Sequence, residues 1–120
     1  MRAFIYTRNA DPNPAQQLRQ YEQCKTLAEE HQHEVIGTAH DNGYERSGLA
    51  TLIEGLRDHD FEIVLTSDHA CLGPTITALA AMVDEIHRAG AHLLTCAEPP
   101  MPATVLDMLL VLARWEGQFE

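Results

Sequence analysis

Positive charge is scarce in this sequence: eight lysines and arginines stand against eighteen aspartates and glutamates in 120 residues, a formal charge of −10 at neutral pH. A surface that acidic repels a phosphate backbone, and no stretch of the chain is basic, so direct DNA binding is expected to be weak or absent. There is no apolar run long enough to cross a bilayer and no apolar signal region at the N-terminus, which points away from membranes and towards the cytoplasm. Cysteines are few, Cys24, Cys71 and Cys96, and show no paired spacing. That argues against a disulfide framework or a zinc knuckle and fits a reducing compartment. Internal repeats, low-complexity tracts and a glycine-rich phosphate loop are also missing, which leaves one domain, residues 1–120, of common size.

Histidine is the one metal-ligating type in supply, at 31, 33, 40, 59, 69, 87 and 92. No pair has the i, i+4 spacing with a carboxylate that a zinc hydrolase needs, so neither a metal nor a cofactor is expected.

Arg2 to Arg8 reads as a strand that runs into a polar turn at Asn9-Ala10-Asp11-Pro12. A helix follows from about Pro14 to about His31, with Leu18, Tyr21, Cys24 or Lys25, Ala28 and His31 as its apolar face. Glu34 to Ala39 reads as a second strand and His40 to Ser47 as a loop pivoting at Gly43. A second helix spans Gly48 to about His59, with Leu49, Leu52, Ile53 and Leu56 on one side. Phe61 to Thr66 is β-branched and nearly continuous, as a parallel strand covered on both faces should be. After a loop from Ser67 to Gly73, Pro74 opens a third helix with Ile76, Leu79, Ala80, Val83 and Ile86 inward, and Gly90 stops it. Ala91 to Cys96 is a fourth strand, and Glu98 to Pro102 is too rich in proline for regular structure. This alternation implies an α/β fold, doubly wound, with a mainly parallel sheet flanked by helices.

From about residue 103 to 120 a last helix carries Val105, Leu106, Leu109, Leu110, Leu112, Trp115 and Phe119 with almost no polar face. One helix at the end of a small domain buries only part of such a surface, so the remainder predicts self-association into a homodimer. A wholly internal core helix is the alternative.

The spelling Tyr6-Thr7-Arg8-Asn9-Ala10 resembles the opening of the catalytic domain of serine recombinases, the resolvase/invertase family, where the pattern is Tyr-x-Arg-Val-Ser. The resemblance covers essentially the whole chain. Arg46-Ser47-Gly48-Leu49 is similar to the family's Arg-Pro-Gly-Leu, Asp60 to Val64 to its Asp-Phe-Asp-Val-Val, and Ala113 to Glu116 to its Ala-Glu-Phe-Glu. It implies a resolvase-like fold and, in an intact member, a serine that attacks a DNA phosphodiester.

The departures fall where the chemistry should be. Ala10 stands in the place of the serine. The family's Ser-x-Asp-Arg-Leu-Gly-Arg-Ser aligns with Asp68 to Thr75, so its aspartate is Ala70 and its two arginines are Cys71 and Pro74. Of the active-site set the resemblance implies, Tyr6, Arg8, Gln17, Arg46 and Glu116 have counterparts. Each lost transition-state donor typically costs on the order of 10²–10³ in rate, and the members of a catalytic unit do not replace one another.

Cys71 is expected to be inert, with a substitute nucleophile as the alternative. Ser47 is expected to cap the helix that starts at Gly48, and Ser67 to cap a turn. Arg8 and Arg46 are expected either to hold an anion together or to pair with Glu116 or Asp41. The resulting expectation is a catalytically inactive recombinase-like domain, a dimeric interaction or regulatory module whose partner is a second copy, another recombinase or a DNA-bound protein. DNA strand transfer through a substitute nucleophile is the alternative, and a small phosphate-ligand binder stands behind both.

Overall fold

The computed structural model describes residues 1–73 and 75–96. Four strands and three helices alternate: β1 (Arg2–Asn9), α1 (Pro14–Glu30), β2 (Glu34–Asn42), α2 (Ser47–Arg57), β3 (Ile63–Thr66), α3 (Ile76–Arg88) and β4 (His92–Thr95), with one 3-10 turn at His69–Leu72. All strand pairs are parallel, in the order β2-β1-β3-β4. The α/β fold expected from the alternation of patterns is therefore present. Residues 97–120 and Pro74 lie outside the described residues, and with them the proline-rich stretch, the apolar last helix and Glu116.

Strand β1 is central because it is apolar on both sides. Ala3 and Ile5 meet Cys24 and Ala28 of α1 on one face, with Ile63 and Leu65 of β3. Phe4 and Tyr6 meet Leu52 and Leu56 of α2 and Met82 and Ile86 of α3 on the other. Strand order reverses between β1 and β3, so crossovers of one hand place α1 and the α2/α3 pair on opposite faces. A crevice then opens beyond the C-terminal ends of β1 and β3, where the two halves of the chain diverge.

Several boundaries differ from the pattern-based reading, each for a tertiary reason. Strand β2 continues through His40, Asp41 and Asn42, which pair with Thr7, Arg8 and Asn9. These polar residues look like loop only until their partners in β1 are known. Strand β3 is shorter, because Phe61 turns into the core instead of pairing. Its ring stacks on Phe4 at 4.9 Å, and a Cβ at Gly55 would sit 2.4 Å from it.

The buried face of α1 is Gln20, Cys24 and Ala28, with Tyr21 and Leu27 beside it. Leu18 is 57% exposed, and His31 is the exposed C-cap. The stripe is thus rotated from the one the apolar residues suggested. Helix α3 starts from Thr75, whose hydroxyl accepts from Ala78 N–H at 3.1 Å. Ile76 is 66% exposed, so the inward stripe begins a turn later with Ala80, Val83 and Ile86, joined by Met82. Gly43 and Gly90 adopt the left-handed backbone, φ 55° and 73°, that the turn after β2 and the end of α3 require.

Candidate functional site

Two polar structures lie along the same face of β1, one turn of the pleat apart. The inner one is a closed node around Asp41, which is fully buried. Its carboxylate accepts from Tyr6 Oη at 2.9 Å and from the backbone N–H groups of Gly48 and Leu49, each at 2.9 Å. The last two are open donors of the first turn of α2, so Asp41 caps that helix from across the fold. Ser47, expected to be the cap, is exposed and makes no such bond; the N-cap position belongs to Arg46 and lacks a side-chain cap of its own. Gly48 suits this approach, since a Cβ there would lie 3.0 Å from Asp41 Oδ1 and crowd the carboxylate.

Burial pushes the Asp41 carboxyl up, but the two backbone N–H groups, the Tyr6 hydroxyl and the charge of Arg8 together outweigh it and hold the group below the ordinary carboxylate value. Tyr6 moves the opposite way. Burial, then the bond to Asp41, raises its phenol well above the ordinary value, so it stays a donor.

The outer structure is an open cavity of about 820 Å³ at the ends of β1 and β3, lined by Arg8 to Asn13, Gln16, Gln20, Gly43, Tyr44, Asp68 and Cys71. Arg8 follows Tyr6 on the same side of β1, and its guanidinium donates to the carbonyl of Gly43. Ala10 is exposed at the mouth. Cys71 is buried, with its sulfur 3.3 Å from Ser67 Oγ and 4.0 Å from the Arg8 carbonyl.

Two amide atoms beside this space have no hydrogen-bond partner among the described residues: Nδ2 of Asn9 and Oε1 of Gln20, both on buried residues. A donor and an acceptor left open beside one cavity ask for water or a polar ligand there. Sequence patterns did not single out Asn9 or Gln20 because an asparagine in a turn and a glutamine on a helix are ordinary.

Of the expected site residues, Arg8, Ala10 and Cys71 come together here, and Tyr6 lies one step inside. Gln17 instead lines a separate hollow of about 490 Å³ with Thr7, Leu18, Tyr21 and His40. Arg46 is exposed at the α2 N-cap and donates to the Glu45 carbonyl. It is absent from the described cavity lining, where Arg8 is the only cation beside Asp11 and Asp68. Ala70 belongs to the 3-10 turn His69–Leu72 and is absent from the described cavity lining. Pro74 and Glu116 fall outside the described residues. Among the described residues, no three His, Cys, Asp or Glu side chains converge as metal ligands would, and no helix is long and apolar enough to cross a membrane.

A parallel α/β domain with its crevice at the strand-order reversal, and an arginine and a buried tyrosine at the end of the central strand, has the architecture of a recombinase catalytic domain. The family model for the resolvase N-terminal domain matches residues 3–119, and the chain belongs to that family. Solved structures agree on the fold. The N-terminal catalytic domain of TP901-1 integrase is similar with a TM-score of 0.75 at 18% identity, over all of this chain and 99% of that one. The C-terminal catalytic domain of ISC1926 TnpA, an IS607-like serine recombinase, gives 0.73 at 20% identity over 99% and 86%. A resolvase family site-specific recombinase from Streptococcus pneumoniae gives 0.78 at 15% over 98% and 89%. No protein of curated function matches the chain.

Proposed function

We propose that this chain is a catalytically silent member of the resolvase family that acts as a dimeric interaction or regulatory module in a DNA-associated complex. One observation carries the reading: at the mouth of the cavity, where the family pattern has its serine, stands the methyl group of Ala10. Strand transfer by the family's route needs an oxygen nucleophile and several guanidiniums around a pentacoordinate phosphorus. The described lining offers one guanidinium, already donating to Gly43, against two carboxylates. The balance of charge there repels a phosphate.

The apolar series from Val105 to Phe119 supports self-association, and a second recombinase or a DNA-bound protein is the other partner so apolar a sequence would suit. A chain of formal charge −10 joins DNA more readily through such a partner than by itself.

Incubation with supercoiled and with nicked DNA tests the reading. No covalent protein–DNA adduct is expected from the native chain, nor from Ala10→Ser, because a restored hydroxyl still lacks the surrounding cations. Light scattering should give twice the monomer mass. An adduct that disappears in Cys71→Ala would replace this reading with strand transfer through a substitute nucleophile. A strict monomer at high micromolar concentration would remove the dimer.

A further inference from the structure

The cysteines show no pairing along the sequence, yet the fold brings two of them together. Cys24 lies on the inner face of α1, fully buried beneath Ala3, Ile5, Ile63 and Leu65. Cys96 follows the last residue of β4 and is half-buried. Its N–H donates to the Thr66 carbonyl at 3.1 Å, which extends the β3–β4 pairing by one step and fixes where the side chain starts. The two sulfurs are 3.7 Å apart, and both thiols are free. Cys71 belongs to the cluster on the opposite face of the sheet and shares its hydrogen bond with Ser67.

We propose that Cys24 and Cys96 form a redox-sensitive modification site that closes into an intramolecular disulfide when the protein meets hydrogen peroxide. A disulfide needs the sulfurs about 2.05 Å apart, so from 3.7 Å the pair has only a short gap left to close. The pair is chemically asymmetric. The hydrogen bond between the thiols, then burial, raises Cys24, and the same hydrogen bond lowers Cys96 despite its partial burial. Cys96 is the thiol that solvent reaches and meets the peroxide first, and Cys24, fully buried against it, is the resolving thiol.

The steps balance with the peroxide as the sole oxidant. The Cys96 thiolate attacks one peroxide oxygen, the O–O bond breaks, and the departing hydroxide takes up a proton to leave as water, giving a sulfenic acid. The Cys24 sulfur then attacks the Cys96 sulfur, and the S–O bond breaks. The Cys24 proton and the displaced hydroxide leave as a second water. The sulfur pair loses two electrons and the two peroxide oxygens gain them.

The cross-link would tie α1 to the end of β4, immediately before the segment that carries Val105 to Phe119. It would also close a loop spanning most of the described chain, which constrains the unfolded state.

The test uses the full chain, reduced and then treated with hydrogen peroxide under native conditions. The expected product has lost two hydrogens, keeps one alkylatable thiol at Cys71, and yields a peptide pair joined through Cys24 and Cys96 that dithiothreitol separates. Its thermal midpoint should rise by roughly 5–15 °C. Cys71→Ser should form the same link. Cys24→Ser should instead accumulate a dimedone-reactive sulfenic acid at Cys96, because the resolving thiol is gone. Three thiols surviving the peroxide, a link through Cys71, a disulfide between copies, or a cross-linked chain with a lowered midpoint would each overturn the proposal. None of these results depends on whether the chain acts on DNA.

Discussion

The node around Asp41 and the cavity beyond it are built from neighbouring residues of the same strands, and they treat polar groups in opposite ways. In the node every group has its partner: the carboxylate takes three donors, the tyrosine hydroxyl donates its hydrogen bond to the carboxylate, and the open end of α2 is closed. At the cavity, an asparagine donor and a glutamine acceptor are buried without partners among the described residues, and an arginine is turned onto a backbone carbonyl. Polar groups that hold elements together must be satisfied within the chain. Groups facing an open cavity can be satisfied instead by water or a polar ligand. The scaffold and the site of a family member can therefore change separately even when two residues of β1 divide them.

The sharpest way to break this contrast is to open the node. Asp41→Ala strands two helix N–H groups and a buried phenol at once and should lower unfolding free energy by about 3–5 kcal/mol, read by urea denaturation. A loss under about 1 kcal/mol would mean that the node is ornamental. Asp41 also predicts an acid limb. Its folded value lies below that of an ordinary aspartate, so as pH falls the unfolded chain binds the proton first. The stability it contributes is complete above the unfolded value, falls as pH drops from about 5 through that value, and is gone below the folded one. Asp41→Asn should flatten that limb.

A second perturbation acts on packing alone. Gly55→Ala would place its new methyl 2.4 Å from Phe61 Cε1, against a ring already stacked on Phe4. A cost of about 1–3 kcal/mol is expected from denaturation. Tyr6→Phe keeps the packing and removes one of the three donors to Asp41, and should cost about 1–2 kcal/mol. Were Tyr6→Phe as damaging as Asp41→Ala, the hydroxyl and not the helix cap would be the centre of the node.

Periodicity made the order of elements legible, because apolar residues at spacings of two and of three or four report which side of each element faces inward. It failed wherever a residue's role depends on a distant partner. His40, Asp41 and Asn42 are strand residues only because Thr7, Arg8 and Asn9 lie beside them, and Asp41 replaces Ser47 as the cap because the fold carries it to the end of α2. In α1 the expected Tyr21, Cys24 and Ala28 do face the core, but Leu18 and His31 do not, since this polar helix docks by its small residues and leaves the larger leucine outside. For the same reason Gln20 rather than Gln17 reaches the cavity. The meeting of Cys24 with Cys96 was invisible because nothing in the spacing along the chain encodes it.

The mildest substitution tests the other half of the contrast. Gln20→Leu keeps roughly the volume of a buried side chain and removes an acceptor that has no partner. Replacing an unsatisfied buried polar group by an apolar one of similar shape is close to neutral and can stabilise, so a change within about 1 kcal/mol is expected, in either direction. Asn9→Ala is less informative because it also opens space. A loss from Gln20→Leu comparable to that from Asp41→Ala would show that the cavity amides are held by an ordered ligand or water network as demanding as the node. The retained site would then be under structural constraint, and its polar lining could not be treated as free to change.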